Sequence, residues 1–176
     1  MELTGFQPYQ INKLEGFTSA ISHLVCMMMH ARQVTLGSVK NLSVEELDYL
    51  MDEKSNTIGA LLAHIAATEK WYQVFSFEKR EMEGQELSEI SAAQKLGDQG
   101  RAEIRGNDLA YYVEELRVVR DNTLLELKKR NDEWLMDEMI YTKNQMANNL
   151  YMWYHVFEDE TNHRGQINLI KKNFRK

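Results

Sequence analysis

Asp159 and His163 stand four residues apart in "YMWYHVFEDETNHRGQINLI", residues 151 to 170. Met152, Val156, Asp159, His163, Ile167, Ile170 and Phe174 follow one another at intervals of four or three, the path of one buried stripe along a helix. An ionised carboxylate in such a stripe is strongly unfavourable unless something pairs with it. Side chains four apart point roughly 40° apart and lie about 6 Å apart along the axis, so the two can converge on one point between helices. They can bond each other there, or an Arg or Tyr from a neighbouring helix, or they can share a metal ion. A third group, His64 in "NTIGALLAHIAATEKWYQVF", projects from the border of another apolar arc beside Thr57, Thr68, Trp71 and Phe75. Two imidazoles and a carboxylate are a ligand set that leaves a coordination position open, for zinc or for a ferrous, nickel or manganese ion. Such an ion turns bound water into hydroxide near neutral pH, polarises a substrate oxygen, or lowers a thiol's pKa.

Other polar groups flank this set. His155 extends the spacing by one turn but points about 80° away from His163, so it borders the site. Arg120 lies among Leu116, Thr123 and Leu127, where it is either the salt-bridge partner that Asp159 requires if no metal is held, or an anion-binding group for a substrate carboxylate. Tyr112, on the same helix, is a further candidate for orienting a substrate. His23, His30 and Cys26 share a helix face opposite Leu24 and Met28, read as surface or subunit contact.

The elements that must position these groups are helices. Pro8 is the only proline, so no residue from 9 onward carries the strongest helix breaker. Helical periodicity predicts a first helix over about residues 10–40 and a second over about 56–77 opened by Ser55 and Asn56. It predicts a third after Asn107 and Asp108, and a fourth along the opening stripe. Ser43 and Glu46 form a capping-box pattern for a short turn. Residues 78–106 read as a long charged connection with a small helix around Ser88 to Leu96, and no segment alternates convincingly with period two. Four long amphipathic helices with one long crossover describe an all-α four-helix bundle, one domain over 1–176.

Composition narrows the function classes. A net charge of −6 argues against nucleic-acid binding, which relies on clustered Lys and Arg. The one basic cluster, Lys171, Lys172, Arg175 and Lys176, suits the C-terminal end of a helix. No apolar run is long enough to span a membrane, and "MELTGFQPYQINKLEG" lacks the features of a signal peptide, so the expected location is cytoplasmic. The lone cysteine, Cys26, has no disulfide partner and reads as a small buried hydrophobe.

With these residues in view, the chain resembles the DinB-like family of bacterial metal-binding four-helix bundles over most of its length. The matching segments are "ARQVTLGSVKNLSVEELDYL", "TIGALLAHIAATEKWY" and "HVFEDETNHRGQINLI". The resemblance implies an up-down-down-up bundle with the long crossover between the second and third helices. It also implies metal ligands at His64, Asp159 and His163. Most members carry histidine where this chain has Asp159; branches similar to mycothiol-dependent maleylpyruvate isomerases carry a carboxylate there and still bind metal. The implied cofactors are a divalent metal, zinc or nickel ahead of manganese or iron, and a low-molecular-weight thiol such as mycothiol, bacillithiol or glutathione. The implied activity is thiol transfer or hydrolysis on a small-molecule substrate by a homodimer. The alternative is a protein without turnover, one that binds metal or simply forms a stress (DNA-damage)-induced helical dimer.

Overall fold

The computed structural model describes residues 3–174, so Arg175 and Lys176 of the basic cluster lie outside the described residues. Mostly helical, it runs through α1 (Ser19–Val39), α2 (Val44–Leu47), α3 (Ile58–Tyr72), α4 (Gly84–Lys95), α5 (Gly97–Glu103), α6 (Leu109–Leu127) and α7 (Asn149–Phe174). A π-type turn, Gln73–Phe77, prolongs α3, and a 3₁₀ turn, Trp134–Met136, precedes an antiparallel hairpin of β1 (Glu138–Thr142) and β2 (Gln145–Asn148). Helix α7 packs along α1 and α3, and α6 along α3 and α1. The connection between α3 and α6 carries α4, which covers one side of α3.

Local chemistry explains the helix starts. The Ser43 hydroxyl accepts from the Glu46 N–H while the Glu46 carboxylate accepts from the Ser43 N–H, the reciprocal capping box the sequence suggests. Asp108 caps α6 through the Tyr111 N–H. The cap of α3 is Thr57, one residue beyond the expected pair, and its hydroxyl accepts from Ala60 N–H. The first helix begins at Ser19, well after the expected residue 10, because Gly16 adopts a left-handed φ of 81° that a continuing helix excludes. Its cap comes from across the molecule. The Asp132 carboxylate accepts from the Ala20 and Ile21 N–H groups at 3.0 and 3.2 Å and from the Thr18 hydroxyl.

Each long helix contributes to two apolar clusters. One contains Ile21, Leu24, Met28, Tyr72, Phe75, Leu124, Leu127, Met152, Trp153 and Val156. The other contains Val39, Ile58, Leu61, Leu62, Ile65, Tyr112, Leu116, Ile167 and Ile170. Between them in sequence on all four helices falls one buried charged residue: Arg32 on α1, Glu69 on α3, Arg120 on α6 and Glu160 on α7. Arg32 donates to Glu160 Oε1 and Glu69 Oε2, both at 3.0 Å, and Arg120 donates to both Glu69 oxygens at 2.7 and 3.0 Å. The Leu116 and Met28 carbonyls and the Thr123 hydroxyl complete the layer. Two guanidiniums and two carboxylates balance, which is what permits four charges to be nearly water-free.

The structure corrects one further sequence expectation: residues 138–148 form a hairpin where no strand was expected. Cys26 is the buried small side chain the sequence suggests, although it shares a face with His23 and His30, because the N-terminal segment crosses it and the Asn12 carbonyl lies 3.6 Å from its sulfur. His23 and His30 are exposed, and His30 Nδ1 lies 3.0 Å from the Pro8 carbonyl.

Candidate metal centre

The facing sides of α3 and α7 bring His64, Asp159 and His163 together. One donor atom from each lies within 4.8 Å of the others. Asp159 bridges the imidazoles: Oδ2 is 3.5 Å from His64 Nε2 and Oδ1 is 3.4 Å from His163 Nε2. The two rings meet edge to face, 4.6 Å between centroids. These nitrogen–oxygen separations are long for a hydrogen bond to a carboxylate. Two ligands bonded to one ion at about 2.0–2.1 Å with tetrahedral angles lie about 3.3 Å apart, close to what is seen.

Two buried atoms of the cluster, Asp159 Oδ2 and His163 Nδ1, have no hydrogen-bond partner among the described residues. Side chains buried without partners are uncommon in a finished core, and a bound cation satisfies the carboxylate. His64 is prepared for coordination from the other side. Its Nδ1 lies 2.8 Å from the Ala93 carbonyl of α4, which can only accept, so Nδ1 carries a hydrogen and Nε2 is the atom turned toward Asp159. The Thr68 hydroxyl approaches the same Nε2 at 3.3 Å. The donor set and its support therefore fit a divalent metal.

The electrostatics favour positive charge at this point. Burial pushes the Asp159 carboxyl toward higher pKa, but His163 and His64 more than reverse this and hold it well below the usual carboxylate range. For His64, burial lowers the pKa while Asp159 and the Ala93 carbonyl together raise it further, leaving it above an ordinary histidine. The side chains remain 12 to 19 % exposed, so the centre is enclosed yet reachable from solvent.

Of the remaining sequence candidates, Arg120 and Tyr112 lie elsewhere and His155 lies one turn away on α7. Arg120 belongs to the buried charge layer and meets Glu69 and Glu160, not Asp159. The Tyr112 ring packs on Gly59, and Asn107 Nδ2 lies 3.5 Å from its hydroxyl. His155 is half-buried one turn from Asp159, with Nδ1 3.0 Å from Glu158 and its ring edge-on to Tyr72. Sequence reasoning missed Glu69, Glu160 and Arg32. Their only signal was a charged letter inside or beside an apolar stripe, the same signal that singled out Arg120.

The fold and the site define a helical protein with a two-histidine, one-carboxylate cluster between helices. Residues 23–175 match the family model described as mycothiol-S-transferase, and the chain belongs to that family, within the DinB-like group. No curated protein sequence matches the chain.

Proposed function

We propose that the protein is a divalent-metal-dependent thiol S-transferase in which His64, Asp159 and His163 hold the ion. The observation that carries this reading is the convergence of the three donors around Asp159 at 3.4 and 3.5 Å, in a chain of the mycothiol-S-transferase family. A divalent ion at this position supplies Lewis acidity that keeps a thiol as thiolate near neutral pH. The protein's own contributions are separable. Ala93 fixes the tautomer of His64, and Asp159 supplies the negative charge that favours a cation. Buried Ile167 and Val156 flank the ligands on α7 and limit water. Glu160, next to Asp159, ties α7 to α1 through Arg32 and so fixes the turn that carries the ligands.

The finer fold reading is an up-down-down-up bundle within a single domain. Its support is the order of the clusters: α1 and α7 pass from the Met28 cluster to the Ile65 cluster along the chain, whereas α3 and α6 pass the other way.

The test is a conjugation assay with mycothiol, bacillithiol and glutathione against a panel of electrophiles, using protein reconstituted with zinc or nickel. Turnover with at least one thiol, abolished in folded His163→Ala, supports the reading. Undiminished turnover in a folded, metal-free variant contradicts it. Stoichiometric metal with no turnover for any thiol would favour a metal-binding protein without catalysis.

A further inference from the structure

Beyond the metal centre, polar side chains continue along the α3/α7 seam. His64, Thr68 and Tyr72 succeed one another at intervals of four on α3; His163, Asp159 and His155 do so in the opposite direction on α7. The two rows meet again where the Tyr72 ring stands edge-on to His155, 6.0 Å between centroids. There the Tyr72 hydroxyl lies 2.7 Å from that of Tyr141, which comes from the hairpin.

Two features of this pair leave a donor open to solvent or to a ligand. Two phenols carry two hydroxyl hydrogens, and one oxygen–oxygen contact uses one of them. No acceptor for the second occurs among the described residues. Furthermore, the hairpin register shifts at Tyr141: Ile140 pairs with Met146 and Thr142 with Gln145, leaving Tyr141 as the extra residue of a bulge. A bulge re-aims a side chain, and here it accompanies a tyrosine turned toward the seam.

Aromatic rings surround the pair. Tyr141 is edge-on to Tyr151 and to Phe75, Tyr151 stacks over His155, and Trp71 stacks on Phe75. Tyr151 is 47 % exposed, and Tyr141, His155 and Trp71 are partly exposed, so the seam opens to solvent at this end. Burial and the neighbouring phenol keep Tyr72 protonated, which suits a donor rather than a base.

We propose that the Tyr72–Tyr141 hydroxyl pair is an oxygen-recognising subsite. It donates one hydrogen bond to the carbonyl or nitro oxygen of an aromatic substrate whose ring lies among Tyr141, Tyr151 and His155, beside the metal centre. Its purpose rests on the thiol-transfer reading; its test does not. The probes are 4-fluoroacetophenone and 1-ethyl-4-fluorobenzene, which share a skeleton and differ in the oxygen. Binding is read by fluorine NMR with no thiol present, in the wild-type chain, Tyr72→Phe, Tyr141→Phe and the double variant, with melting curves to verify folding.

The expected result is that the double variant binds the ketone about tenfold more weakly, the worth of one good hydrogen bond, while hydrocarbon binding changes by less than about twofold. The single variants show which oxygen faces the ligand. Equal effects on both probes, no effect on either, or no binding of the ketone by the wild type would overturn the subsite. Ketone selectivity without thiol turnover sinks the transferase reading alone; turnover without selectivity sinks this one alone.

Discussion

Glu69 is the hub of the buried charge layer, receiving both guanidiniums and the Thr123 hydroxyl with no solvent exposure. Burial raises its pKa, but Arg120 and Arg32 more than compensate, so it falls from an ordinary 4.5 to about 2. At about 1.4 kcal/mol for each tenfold change in proton affinity, the depression corresponds to about 3 kcal/mol of stability. Because the folded-state pKa lies below the unfolded one, that stability is fully present above about pH 4.5 and is lost as the pH falls through about 2. Glu69→Gln removes the charge and leaves two arginines sharing Glu160, which should cost about 3–5 kcal/mol at neutral pH. For a chain of this size each kcal/mol moves Tm by about 2–4 °C, so a drop of roughly 10 °C is expected. Urea denaturation from pH 7 to pH 2 makes the comparison. The wild-type stability should fall steeply in the acid range and the variant's should fall less. A variant within 1 kcal/mol of wild type, or one with the same acid slope, would refute the argument that the layer is a coupled ionised network.

Three further predictions follow from individual contacts. An added Cβ at Gly59 would stand 2.5 Å from the Tyr112 hydroxyl and 2.8 Å from its ring, which is fully buried, so Gly59→Ala should destabilise by about 1–3 kcal/mol in denaturant titration. Asp132→Ala removes the cap of α1, and amide exchange at Ala20 and Ile21 should accelerate more than at Leu24 and Val25, with Asp132→Asn in between. Zinc at about a hundredfold over its Kd should add about 2.7 kcal/mol to unfolding free energy in wild type and almost nothing in His64→Ala, read as a Tm increase present only in the former.

The long helices were legible because their apolar residues recur at helical spacing over several turns; Met152, Val156, Ile167 and Ile170 are indeed buried. His64, Asp159 and His163 stood out for the same reason, as polar letters breaking an apolar pattern. The hairpin was not legible. Met139 and Tyr141 face inward, but Ile140 between them is 70 % exposed, so the hydrophobic alternation that marks a half-buried strand is absent. The charge layer was hidden differently, since its ion pairs join residues as far apart as Arg32 and Glu160, and a charged letter beside an apolar stripe does not reveal its partner. The same is true of Asp132, whose role at the start of α1 depends on a contact across more than a hundred residues.

The central claim is that His64, Asp159 and His163 hold one metal ion, and the most direct measurement is elemental analysis of untagged protein for the wild type, His64→Ala and Asp159→Ala. Near-stoichiometric zinc, nickel, manganese or iron in the wild type, lost in both variants while their helical spectra persist, is the predicted result. A wild type that stays metal-free after reconstitution with each ion, or variants that retain the metal, would contradict it.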